Sequence, residues 1–228
     1  MMAGLYDTEY ARRYRTRDDE LDGVGTYHEL VRWVGGACDR FDHPIDVLDL
    51  GCGTGRYFWG LHNVNTLTGL DASEAMLAQA ARPTRASEIG AKTIRLVKGD
   101  VATHDFVPGS FDLVYSIGVL AEHVALTRTL VARVATWLKP GGRFAFTTID
   151  PQSPDVPRTL RRRLATALLP AVPGRIGEAL HRRLMVDGMY GDERWIRATL
   201  GGLFAIESLD RFQSDVHLHD RCVARKPP

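Results

Sequence analysis

The chain has 228 residues, with 29 basic and 28 acidic side chains and a formal net charge of +1. Because these charges balance, no global field would recruit nucleic acid or an anionic membrane. Hydrophobic residues make up 44% and charged residues 25%, which excludes a disordered chain. The N-terminal segment is too charged for a signal-peptide core, and no later stretch reaches the roughly 20 apolar residues of a membrane helix. We therefore expect one cytoplasmic, globular domain.

Hydrophobic periodicity predicts alternating helices and strands over most of the chain. Helices are predicted at 27–37, 55–62, 73–81 and 126–138, with Ser73 as an N-cap, and again at 156–169 and 175–185. Strands are predicted at 45–50, 66–70, 93–98, 111–116 and 143–149, the last after a turn at 138–142, and two closing strands at 204–211 and 216–224. Such alternation is typical of a mainly parallel sheet with helices on both faces. Ligands of such sheets bind at the carboxyl ends of the strands.

The three cysteines, Cys38, Cys52 and Cys222, are widely spaced. They form neither a CxxC pair nor an even disulfide framework. The sequence therefore predicts no metal site and no disulfide. Nothing near Cys52 supplies the second thiol or base that redox chemistry would need, so it is interpreted as a small residue of its loop.

A glycine-rich loop, with Gly51, Gly53 and Gly55, directly follows the apolar strand at 45–50. Glycines let a backbone turn tightly and press against a ligand. The dinucleotide fingerprint requires a third glycine three positions after Gly53, where Arg56 stands. The acidic Asp49 just before the loop favours a cationic ammonium over a pyrophosphate. Preference for a cation separates this loop from one that binds NAD.

The segment Asp49-Leu50-Gly51-Cys52-Gly53-Thr54-Gly55 resembles the first motif of the class I S-adenosylmethionine-dependent methyltransferases, in which an acidic residue precedes GxGxG. With its later landmarks, the resemblance covers roughly the first two thirds of the chain. It implies an enzyme that binds S-adenosyl-L-methionine and releases S-adenosyl-L-homocysteine. It also implies an α/β, doubly wound, Rossmann-like fold: a mainly parallel seven-stranded sheet with an antiparallel final strand and a helical cap insertion.

Later landmarks of that family follow in order. Asp71 closes the second strand, where a carboxylate accepts hydrogen bonds from a ribose diol. Asp100 and Val101 follow the third strand, where the family binds the adenine amino group and packs on the ring. Taken singly, either aspartate could merely cap a helix or turn. The resemblance implies cofactor contacts from Asp49, Gly51, Cys52, Gly53, Asp71, Ala72, Met76, Asp100, Val101 and Ser116.

Two side chains are candidates for catalysis. Methyl transfer from a sulfonium is an in-line displacement that depends on alignment, with a base to remove a proton from the acceptor. His123 lies just past the fourth strand and resembles the family's leucine-glutamate-histidine pattern, from which Ala121 departs; it is expected to act as the base or only to orient a loop. Tyr14 is the second candidate, because Tyr6, Tyr10 and Tyr14 recur at helical spacing; the other two fit a packing stripe.

The sequence therefore predicts a methyltransferase that acts on a nitrogen or oxygen of a small-molecule acceptor, as a monomer or homodimer. Arginines interleave with leucines in the insertion, so a lipid-like acceptor at a membrane surface is also compatible with the sequence, although a solvated helix face is favoured. An NAD-dependent oxidoreductase and a non-catalytic binding module are two less favoured interpretations. Nucleic acid is not expected, since no Asn-Pro-Pro-aromatic signature follows the fourth strand. Asp150, His217 and His219 lie near predicted strand ends without an assigned role.

The chain is interpreted as a single methyltransferase domain, 1–228, in four segments. These are an N-terminal helical segment at 1–40, a cofactor-binding core at 41–150, a helical cap insertion at 151–200 and closing strands at 201–228. Caps of this kind often select substrates, so the insertion and the N-terminal segment are expected to choose the acceptor.

Overall fold

A computed structural model describes residues 7–21, 24–153, 172, 192–214 and 217–228. The predicted helices at 156–169 and 175–185, which carry the basic arginines of the insertion, lie outside the described residues, as does Tyr6. Met1–Ser116 and Ile117–Pro228 form two compact units, and each is described by itself.

Four parallel strands form the sheet of the first unit, in the order β3-β2-β1-β4. They are β1 (Ile45–Leu50), β2 (Val64–Asp71), β3 (Ala91–Lys98) and β4 (Phe111–Ser116). The sequences of β1 and β4 are apolar runs, and nearly all of their residues are buried, as is typical of central parallel strands. Because the strands are parallel, the residues that follow β1 and β2 lie at one edge of the sheet.

The helices of the first unit are α1 (Thr8–Glu20), α2 (Gly25–Cys38) and α3 (Glu74–Ala80), with short 3₁₀ helices at Phe58–Gly60 and Ala86–Glu88. The predicted N-cap is confirmed, since the Ser73 hydroxyl accepts from the Met76 amide at 3.2 Å. The predicted helix at 55–62 is wrong, because turns lead into one 3₁₀ turn there. Gly55, with φ of +76°, has the left-handed conformation, which does not propagate a right-handed helix.

The second unit contains α4 (Arg128–Trp137), β5 (Leu138–Ile149), α5 (Glu193–Leu200), β6 (Ala205–Gln213) and β7 (Leu218–Arg225). Its strands have the order β5-β7-β6, and β7 runs antiparallel to both neighbours. The predicted turn at 138–142 instead belongs to β5. The chain stays extended there because the Gly142 carbonyl accepts from the Lys226 amide at 2.8 Å, while Gly141, with φ of +75°, adjusts the backbone locally.

The seven strands form the mainly parallel sheet with an antiparallel final strand that the sequence predicts. The α/β, doubly wound, Rossmann-like class is therefore confirmed. The helix α5 falls within the predicted insertion, where the periodicity predicts no separate helix; its N-cap is Asp192, which accepts from the Trp195 amide at 2.9 Å. Of the helices in the described part of the chain, none combines the length and apolar character required to cross a bilayer.

A buried carboxylate anchors α1 to the loop that follows β1. Asp18 is only 1% exposed, and its Oδ1 accepts from Arg56 Nε at 2.5 Å. Its Oδ2 accepts from the Thr54 hydroxyl. The guanidinium of Arg56 also lies 4.6 Å from the centre of the Tyr14 ring, in cation–π geometry. These hydrogen bonds and the cation–π contact fix α1 against the glycine-rich loop.

Replacing Asp18 should weaken the fold far more than replacing its neighbour. Asp18→Ala leaves the guanidinium of Arg56 buried without its carboxylate, which we expect to lower the free energy of unfolding by about 3 kcal/mol in urea titrations. Asp19→Ala is the matched control: Asp19 is 58% exposed and pairs with Arg15 at 3.4 Å, so its loss should cost no more than about 0.5 kcal/mol. Equal effects of the two variants would show that the buried pair does not anchor the helix.

Candidate functional site

The loop at 51–55 holds a backbone shape that requires glycine. Gly51, Gly53 and Gly55 have φ of +80°, +53° and +76°. The amides of Gly51 and Cys52 both donate to the carbonyl of Leu70, at 2.8 and 3.0 Å, which ties the loop to the end of β2. A Cβ added at Gly53 would meet no atom within 4 Å, so this side of the loop faces open space. A ligand can approach the backbone closely at this point.

Asp71, the last residue of β2, joins two backbone segments. Its Oδ2 accepts from the Gly53 amide at 2.9 Å, and its Oδ1 accepts from the Ser73 amide at 2.8 Å. Burial raises the pKa of Asp71, while the hydrogen bonds from backbone amides partly offset that effect. The hydrogen bond from the Ser73 amide is of the Asx type and gives Asp71 the capping role that the sequence also allowed. The hydrogen bond from the Gly53 amide places the same carboxylate directly beside the glycine-rich loop.

Asp49 is a buried acid near Asp71. It is 3% exposed, and its Oδ2 accepts from the Tyr115 hydroxyl at 2.7 Å. Burial, and secondarily the charge of Asp71, raises the pKa of Asp49 to about 8. Among the residues that the structure describes, no Lys, Arg or His forms an ion pair with either aspartate. The two carboxyl groups therefore form an acidic site that a cationic ligand would stabilise.

Asp100 and Val101 follow β3 as the sequence predicts. Asp100 is exposed, and its Oδ1 accepts from the Ala102 amide at 2.7 Å, which is the turn-forming role that the sequence also allowed. Val101 is 5% exposed. The acidic group is thus accessible at the surface while the apolar side chain next to it packs inward.

The other predicted cofactor residues have mixed surroundings. Cys52 and Met76 are buried, and Ala72 is exposed at the residue after Asp71. Burial raises the pKa of the Cys52 thiol well above its ordinary value, so the thiol stays protonated and unreactive. Ser116 is fully buried, and its hydroxyl donates to the carbonyl of Leu50 at 2.8 Å. This bond ties the end of β4 to the end of β1, directly before the loop.

Tyr14 lies beside the loop through its contact with Arg56, and its ring stacks with that of Tyr10 at 6.0 Å between centroids. The interpretation of Tyr10 as a packing residue agrees with this stacking. In the sequence, Arg56 argues only against a dinucleotide motif, and Asp18 has no assigned role. The spacing of Tyr14 and Asp18 was the available signal for Asp18, because residues four positions apart share a helix face.

His123 belongs to the second unit, in the loop before α4. Its amide donates to the Val119 carbonyl at 2.8 Å, and Ala121 has the left-handed φ of +59°. The residue before it, Glu122, has Oε1 at 3.9 Å from Nδ1 of His219. The His123 side chain reaches the surface, but the protein around its ring removes enough water to lower its pKa. Its neutral form, in which one ring nitrogen is unprotonated, therefore predominates at pH 7.

All three cysteines are free and buried. In the described ranges, no group of three or more His, Cys, Asp or Glu side chains is arranged to hold a metal ion. The acidic pair of Asp49 and Asp71 beside open backbone at Gly53 fits S-adenosyl-L-methionine, which carries a sulfonium and an ammonium. It does not fit a pyrophosphate, which would add negative charge beside two carboxyl groups.

A profile for the methyltransferase domain matches residues 47–142, a range that begins in β1 and ends in β5. The chain is 34% identical over 158 residues to aklanonic acid methyltransferase DauC of Streptomyces sp. strain C5, covering 65% of this chain and 68% of that protein. It is 32% identical over 142 residues to the ubiquinone biosynthesis O-methyltransferase of Pseudomonas syringae pv. tomato, covering 61% of this chain and 59% of that protein.

A solved structure with bound S-adenosyl-L-homocysteine has the same fold. It is the magnesium protoporphyrin IX methyltransferase ChlM of Synechocystis PCC 6803, which aligns with a TM-score of 0.57 and 19% identity over 92% of this chain and 86% of its own. An NAD-dependent oxidoreductase is not supported by these similarities. By its sequence, its fold and its loop, the chain belongs to the class I S-adenosylmethionine-dependent methyltransferases.

Proposed function

We propose that this enzyme transfers the methyl group of S-adenosyl-L-methionine to an oxygen of a small-molecule acceptor by in-line displacement. The observation that carries the proposal is the acid pair of the buried Asp49 and the partly buried Asp71 beside the open backbone of Gly53. The choice of oxygen is supported by the name of one relative, the ubiquinone biosynthesis O-methyltransferase. The sequence predicts transfer to a nitrogen or an oxygen, and the proposal narrows this to oxygen.

We assign the parts of the cofactor to residues of the first unit. The acid of Asp49 receives the ammonium end, and Asp71 accepts hydrogen bonds from the ribose hydroxyls with the lone pairs that Gly53 and Ser73 do not use. Asp100 accepts from the adenine amino group, and the buried Val101 packs against the ring. Ala72 and Met76 flank Asp71 on the α3 side, and Gly51, Cys52 and Ser116 shape the loop through their backbone and side-chain hydrogen bonds.

When bound, the cofactor supplies an activated methyl group on a positively charged sulfur. The protein's own task is then to align the acceptor and to take its proton. His123 suits the second task because its lowered pKa leaves it neutral at pH 7. Tyr14 suits the first, since the cation–π contact with Arg56 holds its ring beside the loop.

The acceptor class and the role of His123 can be tested together. The enzyme is incubated with labelled S-adenosyl-L-methionine and a panel of aromatic hydroxy acids, carboxylic acids and amines, and labelled products are separated. We expect a labelled ether or ester. With the acceptor so found, His123→Asn should lower kcat by about 100-fold, because general-base catalysis typically contributes that much, while affinity for S-adenosyl-L-homocysteine is retained.

The control for that measurement is His62→Asn, since the side chain of His62 is 50% exposed and pairs with Asp39 at 2.7 Å. It should leave kcat unchanged. A labelled N-methyl product would contradict the oxygen assignment. An unchanged kcat in His123→Asn would show that His123 is not the base and only orients its loop.

Gly53 and Gly109 offer a matched pair for testing cofactor contact. Both have positive φ, +53° and +64°, and a Cβ at either meets nothing within 4 Å. Alanine should therefore cost each site a similar backbone strain of about 1 kcal/mol. Only Gly53→Ala places a methyl group against the proposed cofactor, so calorimetry should show affinity for S-adenosyl-L-homocysteine falling at least tenfold, against little change for Gly109→Ala. Equal affinities of the two variants for S-adenosyl-L-homocysteine would show that the loop does not contact the cofactor.

Cofactor binding should release a proton from Asp49. The folded protein raises the pKa of this carboxyl to about 8, so it is mostly protonated at pH 7, and its contribution to stability is lost as the pH rises from about 4 towards 8. A bound ammonium favours the ionised carboxylate, so affinity for S-adenosyl-L-homocysteine should increase between pH 6 and 8.

The released proton is measured by calorimetry at pH 7 in phosphate and in Tris, whose ionisation enthalpies differ. We expect about 0.5–1 proton per site for the natural protein. Asp49→Asn, which carries no titrating group at this position, should bind more weakly and release none. Proton release that persists in Asp49→Asn would assign the titration to another group.

A further inference from the structure

A second group of buried polar side chains lies in the second unit, where β5 ends and β7 begins. Thr148, Asp150 and Asp220, here called the β5–β7 oxygen cluster, are 0%, 0% and 2% exposed. Thr148 and Asp220 are paired across the antiparallel ladder, so their side chains share one face of the sheet. Asp150 follows Thr148 by two positions and therefore lies on that face.

The charges of this cluster are not balanced. Arg211 has Nη2 at 3.0 Å from Asp150 Oδ2 and Nε at 4.0 Å from Asp220 Oδ1, so two carboxyl groups share one guanidinium. That guanidinium belongs to a side chain that is 53% exposed. Asp192 and Glu193, where α5 begins, add further negative charge that acts on Asp220. Burial, and secondarily Asp150, raises the pKa of Asp220 to about 7, so the cluster readily takes up positive charge.

Three atoms of the cluster also lack hydrogen bonds, and one of them, Asp150 Oδ2, is ion-paired with Arg211. Neither Thr148 Oγ1 nor Asp220 Oδ2 has a hydrogen-bond partner among the described residues, and both atoms are out of contact with solvent. Buried polar groups are almost always paired in folded proteins, because an unpaired one destabilises the fold. An unpaired hydroxyl and an unpaired carboxylate oxygen on one face of a ladder indicate a binding site for a hydrogen-bond donor.

We propose that the β5–β7 oxygen cluster binds the ammonium group of a small molecule. An alkylammonium has three N–H donors, which suit the hydroxyl and the two carboxylates of the cluster, and its positive charge offsets the carboxylate that Arg211 leaves unbalanced. A metal ion fits less well, because no metal-binding group of side chains occurs among the residues described and Arg211 already occupies Asp150.

The test compares 2-phenylethylammonium with the neutral 2-phenylethanol, as probes of the full chain saturated with S-adenosyl-L-homocysteine. Binding is followed by NMR or calorimetry. We expect the ammonium to bind at least tenfold more tightly than the alcohol, and Asp220→Asn to abolish that preference. The matched control is Asp210→Asn, because Asp210 lies on the neighbouring strand β6 and pairs with Arg221 outside the cluster. This control should keep the preference.

A second variant remains informative if Asp220→Asn folds poorly. Thr148→Val keeps the side-chain volume and removes only the unpaired hydroxyl, so it should raise Tm by about 2–4 °C. The same variant should weaken binding of the ammonium several-fold. A gain in stability together with a loss of binding is expected of a group retained for a ligand and not for the fold.

Equal affinities for the two probes, saturable binding of neither, or full ammonium affinity in Thr148→Val would overturn the inference. The titration with S-adenosyl-L-homocysteine separates this failure from a failure of the proposed function. Normal cofactor binding without the ammonium preference rejects the cluster as a binding site and leaves the proposed function standing. Absence of cofactor binding in the natural protein rejects the proposed function itself.

Discussion

The hydrogen bonds of the Asp71 carboxylate determine the shape of the proposed cofactor site. One oxygen accepts from the Gly53 amide at 2.9 Å and the other from the Ser73 amide at 2.8 Å. The end of β2 is thereby joined both to the loop after β1 and to the start of α3. The left-handed glycines can hold their conformation because this carboxylate and the carbonyl of Leu70 satisfy the amides of the loop. Without the Asp71 carboxylate, the Gly53 amide would lose its hydrogen-bond partner.

Both units contain buried or partly buried acids that outnumber the cations paired with them among the described residues. In the first unit, Asp49 and Asp71 have raised pKa values because burial disfavours their ionised forms. In the second unit, Asp150 and Asp220 share Arg211. Such acids cost stability in the free protein, and a cation would recover part of that cost. The same physical argument therefore supports the cofactor assignment in one unit and the proposed ammonium site in the other.

By contrast, the acid of Asp18 is fully paired, and it has a structural function. Its carboxylate is satisfied by Thr54 and Arg56, and Arg56 also contacts the ring of Tyr14. The N-terminal helix is held against the glycine-rich loop by these contacts. An arginine that excluded a dinucleotide motif in the sequence is, in the structure, the residue that connects the loop to the helix.

Local sequence determined much of the fold and the identity of the cofactor loop. Strands β1 and β4 have the predicted bounds, because a short apolar run between turn signals is buried whatever surrounds it. Ser73 caps α3 for an equally local reason. The GxGxG pattern after an acidic strand end indicates the family from the sequence alone, since its spacing is fixed by backbone geometry.

Tertiary structure decided what depends on residues that are distant in the chain. The helix predicted at 55–62 fails because left-handed glycines and their bonds to β2 override the local helical pattern. The partner of Asp18 is Arg56, 38 positions away, and Thr148, Asp150 and Asp220 converge on one sheet face; the local sequence does not specify which of these residues meet. Charged side chains such as these are usually exposed, and burying one is costly unless it is paired. Only the folded chain determines which charged side chains lose contact with water and which of them find a partner.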